Sequence, residues 1–316
     1  MYNEEQKKRF IRDYTGSLNT ANVAVTIFNI LERYEQAWGA DLCTKSAVEL
    51  QPAIDDVVGL RNRSKWMYLT ILKEYVKWCL AMKTPGACDG MLHVESVGLE
   101  RVKRQMVSSP LHLQKYLDDL FDNEQEETID NVYRCYFWMA YGGIDEEDTI
   151  LIKNDDIDLQ RMLIRYKTTI VPIYREAIPA FKNILTLTSF LYKHPNYSKP
   201  IWRERVPGDT VMRGVRSTTK VFTMRGSISK RNVEAVELGR TNLQLSFYRV
   251  KMSGLFYRTY EMERAGFPVT FSEAALRLMD GKTYSLSGNE KLRHRQNRIE
   301  REYFEDYQRW KLAFSI

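Results

Sequence analysis

The sequence predicts a mainly α-helical chain of two domains, with a small β-hairpin or sheet that makes the class α+β. Three observations support this prediction. Apolar residues recur at helical spacing through the first 82 residues. The stretch 83–90, with one proline and two glycines, interrupts the helices, and two short strand-like segments follow a Gly-Gly turn further along. We therefore predict a first domain at 1–85, a connection at 86–109 and a second domain at 110–316.

The first domain is predicted to be a small helical bundle. In its last helix Trp66, Leu69 and Leu72 recur on one face, which is typical of a helix that buries one side. The bundle helices are expected at 5–14, 19–37, 46–60 and 61–82.

The second domain is predicted to combine helices with one hairpin. Its strands are expected at 157–166 and 169–174, and Pro172 indicates a sheet edge because proline cannot donate to a ladder. Its helices are expected at 111–121, 128–141, 177–192, 246–265 and 290–310.

Charge is unevenly distributed along the chain, although the net charge is only +6. Residues 111–160 carry 3 basic and 14 acidic side chains, whereas residues 161–316 carry 29 and 14. Within the latter, residues 199–231 contain nine Lys or Arg and only two acids. One interpretation is a DNA-contacting segment and the other is a solvent-exposed insertion. We favour DNA, because clustered cations repel one another without a counter-surface.

Other chemistry is not indicated. The four cysteines are widely spaced and form no Cys-x-x-Cys, so we expect them to be reduced and structural. No phosphate-loop, zinc-protease or nucleophile-elbow motif occurs. The acidic run 145–148 could hold a cation, but it more simply begins a helix, where carboxylates favour the positive end of the dipole. We predict no metal, no cofactor and no membrane partner, and a cytoplasmic, nucleoid-associated protein.

Several local motifs resemble the tyrosine recombinase (phage integrase) family. Tyr141-Gly142-Gly143-Ile144 is similar to the first signature box, and Asp155-Asp156-Ile157-Asp158-Leu159 to the strand entry that follows it. Lys167, before Val171-Pro172-Ile173, is similar to the hairpin lysine. Ser246-Phe247-Tyr248-Arg249 stands at the head of a predicted long helix, where the family has His-x-x-Arg. The resemblance implies a helical SAM-like core-binding domain followed by an integrase catalytic-like domain.

The resemblance also implies a degenerate active site. Asp145 stands where the family keeps a catalytic arginine, and Ser246 replaces a histidine. A carboxylate about 4 Å from the scissile phosphate would repel it by roughly 4 kcal/mol at an effective dielectric near 20. The family nucleophile is a tyrosine, and Tyr284, Tyr303 and Tyr307 all lie late enough in the chain. The stripe of Tyr303 and Tyr307 is more typical of helix packing.

Basic residues at three places in the chain are predicted to contact DNA phosphates: the start of the last bundle helix, the stretch 199–231, and the two family positions Lys167 and Arg249. Lys167 and Arg249 would survive as phosphate contacts, or else are an ordinary hairpin lysine and helix-start arginine. The predicted contacts are Arg61, Arg63, Lys65, Lys167, Arg203, Arg205, Arg213, Arg216, Lys220, Arg225, Lys230, Arg231 and Arg249.

The first ten residues and the altered first box resemble prophage repressors built on the recombinase fold. This resemblance implies a sequence-specific repressor that binds phage operators in double-stranded DNA without cutting them. An active, divergent recombinase using Tyr303 or Tyr307 is the main alternative, and an accessory protein beside a true recombinase is a third. The family implies that the C-terminal helix packs on its own domain or on a second copy; an antirepressor protein is a further candidate partner.

Overall fold

The computed structural model describes residues 1–14, 18–57, 63–95, 99–121, 130–192, 201–214, 220–267 and 290–316. The chain divides into two compact units, Met1–Val102 and Lys103–Ile316. The predicted fold class is confirmed, since the elements are mostly helices with small antiparallel sheets. No helix within the described ranges is both long and apolar enough to cross a membrane.

The first unit is a bundle around an aromatic core. Phe10, Phe28, Tyr75 and Trp78 pack edge to face or stacked, with ring centroids 5.0–6.4 Å apart. Such pairs add to the stabilisation that burial of the rings provides. The helices are α1 Glu4–Tyr14, α2 Leu18–Trp38, α3 Ala47–Val57 and α4 Arg63–Ala81.

Part of the predicted connection 86–109 packs within the first unit. The 3-10 turn Gly90–His93 buries Met91, and Val94 is buried just after it. A Cβ on Gly90 would lie 2.2 Å from the Lys45 carbonyl oxygen, so only glycine fits there. Helix α5, Leu99–Gln105, spans the boundary between the units.

The second unit is built around helix α7, Asp130–Gly142, whose residues are buried almost throughout. Strands β1 (Ile157–Asp158), β2 (Leu163–Tyr166) and β3 (Thr169–Pro172) form an antiparallel sheet in the order β1-β2-β3. Strand β3, with Pro172, therefore lies at its edge as predicted. The other helices are α6 Pro110–Leu120, α7 Asp130–Gly142, α8 Ile178–Thr186, α9 Val221–Glu237, α10 Phe247–Arg264 and α11 Glu290–Phe314. The strands are β1 Ile157–Asp158, β2 Leu163–Tyr166, β3 Thr169–Pro172, β4 Ser189–Tyr192 and β5 Ile201–Glu204.

Three predicted elements differ from the structure. The strand expected at 157–166 is two strands, β1 and β2, joined by a turn in which Met162 has φ +56°. The helix expected at 177–192 ends at Thr186, because the aromatic run after it pairs as β4 with β5. The basic stretch 199–231 contains β5 and the start of α9, whose buried face is Val221, Met224, Ile228 and Ala235.

Helices α7 and α10 approach so closely that glycine is required between them. A Cβ on Gly254 would lie 1.9 Å from the carbonyl oxygen of Tyr141. Arg258 of α10 donates to the same oxygen at 2.7 Å. The following turn is also restricted: Gly143 has φ +104°, and a Cβ on Gly142 would lie 2.5 Å from Val171 Cγ1. This packing fixes the end of α7 against α10.

The substitution Gly254→Ala should destabilise the second unit, because the added methyl group must displace backbone. We expect a loss of about 1–3 kcal/mol or more in the free energy of unfolding. Gly226→Ala in α9 is the matched control, since among the described residues no atom outside its own helix backbone and chain neighbours lies within 4 Å of its Cβ position. Alanine also favours the helix by about 1 kcal/mol. Thermal denaturation of both variants measures the difference; equal melting temperatures would contradict the close approach.

Candidate functional site

Asp145 lies where three segments of the second unit meet. It follows the Gly142–Gly143 turn, and its carboxylate binds the ammonium of Lys251 from α10. Tyr166, at the end of β2, donates its hydroxyl to the same carboxylate at 3.1 Å. Lys167 Nζ is 3.9 Å from Asp145 Oδ2. The structure therefore brings Asp145 and Lys167 together.

Asp148 completes this cluster. Its carboxylate accepts from the Tyr166 hydroxyl and lies 2.7 Å from Lys167 Nζ. Lys167 has φ +52° in the tight turn between β2 and β3, and its ammonium lies 4.9 Å from the Tyr166 ring centroid. We call Asp145, Asp148, Tyr166, Lys167 and Lys251 the central cluster; it contains two carboxylates and two ammonium groups.

The pKa values of Asp148 and Lys167 favour their charged forms at neutral pH. The hydrogen bond with Asp148 raises the pKa of Lys167. Burial raises the pKa of the Tyr166 phenol, and its hydrogen bond to Asp148 raises it further. Burial acts to raise the pKa of Asp148, but the hydrogen bonds from Lys167 and Tyr166 outweigh it and lower that pKa. The lysines are thus engaged by carboxylates of the same chain.

Sequence reasoning missed Lys251. Its side chain is only 13% exposed and lies in the run Val250–Phe256, where most other residues are buried. A lone lysine within such a run is a signal of an internal partner, because buried charges are normally paired. The partner itself is 106 positions away and could not be read from local sequence.

A second ion cluster holds α9 against the segment after Asp145. Arg225 Nε donates to Glu146 Oε1 at 2.7 Å, and its Nη2 contacts Glu147 Oε1 at 3.4 Å. The hydroxyl of Tyr136 from α7 also donates to Glu146. The hydrogen bond with Glu146 raises the pKa of Arg225. Glu146–Leu151 is a 3-10 helix, so the acidic run begins a helical segment as favoured from the sequence.

Ser246 caps helix α10. Its Oγ accepts from the backbone N–H of Arg249 at 3.4 Å, which is the geometry of an N-cap. Arg249 is half-buried, with its guanidinium carbon 5.8 Å from the Tyr248 ring centroid. The position where the family has a histidine therefore serves helix initiation in this chain.

Tyr303 and Tyr307 pack α11 against α10. Both are buried, with 0% and 1% of the residue exposed. The Tyr303 hydroxyl lies 2.6 Å from Thr259 Oγ1, and the Tyr307 hydroxyl donates to Glu263. Burial and the bond to Glu263 raise the pKa of Tyr307. Both side chains are buried between α10 and α11, and both hydroxyl groups are hydrogen-bonded to α10. Tyr284 lies outside the described residues.

Two of the predicted DNA contacts, Arg205 and Arg213, have guanidinium groups that bond within the chain. Arg205 is only 6% exposed and donates to the carbonyl oxygens of Val211 at 2.7 Å and Arg213 at 3.2 Å. Burial lowers its pKa to about 10. Arg213 donates to the Thr210 carbonyl oxygen at 2.6 Å and to Asn154 Oδ1 at 3.3 Å. Both arginines satisfy backbone oxygens of the loop after β5, which sequence composition could not distinguish from surface charge.

The other predicted basic residues fall into three groups. Arg225 and Arg231 are ion-paired, the latter with Asp130 at 2.6 Å. Lys220, the N-cap residue of α9, and Lys230 on α9 are exposed and have no ion-pair partner among the described residues, while Arg203 is half-buried. Arg61 and Arg216, and the side chains of Arg63 and Lys65, lie outside the described part of the chain.

Metal-ligating groups are not clustered in the part of the chain that the structure describes. All four cysteines are free thiols, and Cys43, Cys79 and Cys135 are buried. The side chains of the central cluster can form ion pairs and hydrogen bonds.

Solved structures of recombinases and integrases are similar to this chain at low identity. XerA recombinase has 13% identity and a TM-score of 0.36, covering 83% of this chain and 85% of that one. The integrase from mycobacterium phage Brujita has 12% identity and a TM-score of 0.33, with 95% and 91% covered. The Tn1549 transposon integrase, in complex with a circular intermediate DNA, has 11% identity and a TM-score of 0.35, with 94% and 93% covered. Likeness at this level does not define an activity.

The first unit matches a core-binding domain. None of the curated proteins matches the chain. Residues 1–81 match the family described as MrpR, N-terminal core-binding domain. For these residues, the match confirms the resemblance to an MrpR-like protein that was drawn from the sequence.

Loss of Lys251 should destabilise the second unit, because the Asp145 carboxylate would keep only Tyr166 and the more distant Lys167. We expect Lys251→Met to lower the free energy of unfolding by about 1–3 kcal/mol, and Asp145→Asn in the same chain to recover part of this loss. Arg161→Ala, which removes an exposed pair with Asp158, is the control and should cost about 0–1 kcal/mol. Urea denaturation gives all values; equal effects of Lys251→Met and Arg161→Ala would refute the role of Lys251.

Proposed function

We propose that this chain is a sequence-specific DNA-binding repressor that maintains a prophage, built on a recombinase-type scaffold that does not cleave DNA. The match of residues 1–81 to the MrpR core-binding domain supports the class of protein. The absence of cleavage is inferred from Asp145, which stands where the resemblance places an arginine. The Asp145 carboxylate binds Lys251 of the same chain.

The central cluster disfavours transition-state stabilisation at a phosphate. Cleavage needs cations directed at the developing negative charge, and loss of one well-placed donor typically costs about 10²- to 10³-fold. In this chain the Lys167 ammonium contacts Asp148, and the Lys251 ammonium contacts Asp145. Two carboxylates beside the lysines would also repel the phosphate. The burial of Tyr303 and Tyr307 argues further against an active recombinase.

DNA binding is supported by charge outside this cluster. Lys220, the N-cap residue of α9, and Lys230 within α9 are both exposed, and α9 carries no acid before Glu234. Exposed cations of this kind release counterions when they contact phosphates. Arg203 and Arg249 are further candidate contacts, and Arg61, Arg63, Lys65 and Arg216 remain predictions. The paired Arg225 and Arg231 would position α9 rather than bind phosphate themselves.

Self-association through the C-terminal helix and binding of an antirepressor protein are further parts of the proposal. In the structure α11 packs within its own unit: Trp310 Nε1 donates to the Val107 carbonyl oxygen at 3.0 Å, beside buried Tyr303 and Tyr307. This contact agrees with packing of the C-terminal helix on its own domain, one of the two arrangements that the family implies.

Lys220→Ala and Lys230→Ala should weaken DNA binding about equally for all sequences. Each is expected to reduce the slope of log affinity against log salt concentration by about 0.9, because one phosphate contact is lost. Lys182→Ala, at an exposed lysine on α8 outside the basic stretch, is the matched control and should leave the slope unchanged. Fluorescence anisotropy over a salt series gives the slopes. If all three variants kept the slope of the wild type, α9 would be excluded from the interface.

Repression itself is tested on promoters of the prophage that encodes the chain. A repressor should protect sequences overlapping promoter elements without any other phage protein, and should lower reporter expression from the same promoters. Protection only beside a recombinase site, or only with a recombinase present, would instead indicate the accessory role. Footprinting with purified protein distinguishes these outcomes.

A further inference from the structure

A groove of about 750 Å³ lies in the first unit between α1 and the C-terminal end of α4. Its volume is within the range of known binding pockets. Four of its lining residues are cations, and Glu5 is the acid among them; the cations are Lys8, which pairs with Glu4 at 2.7 Å, and Arg9, Arg12 and Lys83. An anionic partner therefore fits the groove better than a neutral or cationic one.

Arg9 and Arg12 have guanidinium nitrogens available for such a partner. Each contacts Asp13 through Nε only, at 4.0 and 3.5 Å. Within the described residues, their terminal nitrogens make no hydrogen bond. Exposed pairs of this kind are weak, so Asp13 is readily exchanged. A guanidinium whose terminal nitrogens are free matches a carboxylate with two parallel hydrogen bonds.

The floor of the groove is apolar and rigid. Trp78 is half-buried, stacks on Tyr75 with ring centroids 6.4 Å apart, and has the Arg9 guanidinium 6.0 Å from its ring centroid. Met82 beside it is 44% exposed. Trp, Met and Arg are the residue types enriched where proteins bind each other, and Trp and Arg dominate the binding energy there.

We propose that this groove binds an acidic segment of a partner protein. Carboxylates of that segment bind Arg9 and Arg12, and one apolar side chain packs on Trp78 and Met82. The backbone of duplex DNA would use the cations but offers no apolar group for the Trp78–Met82 floor, so we favour protein. This site is independent of the DNA-binding proposal, since it uses none of the residues assigned there.

The test uses the full chain and a displayed library of random twelve-residue peptides. Selected peptides should combine Asp or Glu with an apolar residue. They should lose binding by about tenfold or more to the double variant Arg9→Ala/Arg12→Ala. Met82→Glu should weaken them similarly by placing a carboxylate on the floor. Arg33→Ala/Lys77→Ala, which removes two exposed cations of the same unit outside the groove, should change binding by less than about twofold.

Three outcomes would overturn the proposal. Either no acidic peptide is enriched, or the enriched peptides bind the Arg9→Ala/Arg12→Ala variant as well as the wild type. The third is that this variant loses affinity and salt dependence for a duplex of about 40 base pairs, which would make the groove a phosphate contact. All three variants alter exposed side chains, so circular dichroism spectra should match that of the wild type.

Discussion

The ion pair between Asp145 and Lys251 connects the turn after α7 with helix α10 in the second unit. Asp145 lies at the end of the turn that leaves α7, Lys251 lies on α10, and Tyr166 and Lys167 lie on the hairpin. The close approach of Gly254 to Tyr141 holds the two helices at the distance this pair requires. A negative charge at this position therefore has a structural role.

The charge of the basic half of the chain is divided between the interior and the surface. Arg205 and Arg213 bind carbonyl oxygens, Arg225 and Arg231 bind carboxylates, and Lys220 and Lys230 face solvent. The cations that hold α9 in place are thus distinct from those available to DNA. This division explains how a segment dense in arginine can be well folded, because most of its guanidinium groups have partners within the chain.

Local signals in the sequence predicted what local physics determines. The helices predicted at 111–121 and 246–265 are α6 and α10, and Pro172 lies on an edge strand. Features that depend on distant residues were missed. The run at 189–192 becomes a strand only because 201–204 pairs with it, and α9 was hidden because its buried residues are separated by Ser, Lys and Arg. The burial of Arg205 and the partner of Lys251 depend on contacts across the fold, which composition does not contain.

We propose that the scaffold binds DNA while its central cluster does not support strand cleavage. The most direct measurement incubates the purified chain with operator DNA that carries a nick near the binding site, which would trap a tyrosine-linked intermediate. We expect a complex that dissociates in denaturant, for the wild type and equally for Asp145→Arg, because the buried phenols and the Ser246 cap are unchanged. A covalent adduct that disappears in Tyr303→Phe or Tyr307→Phe would instead show that a tyrosine of this chain cleaves DNA.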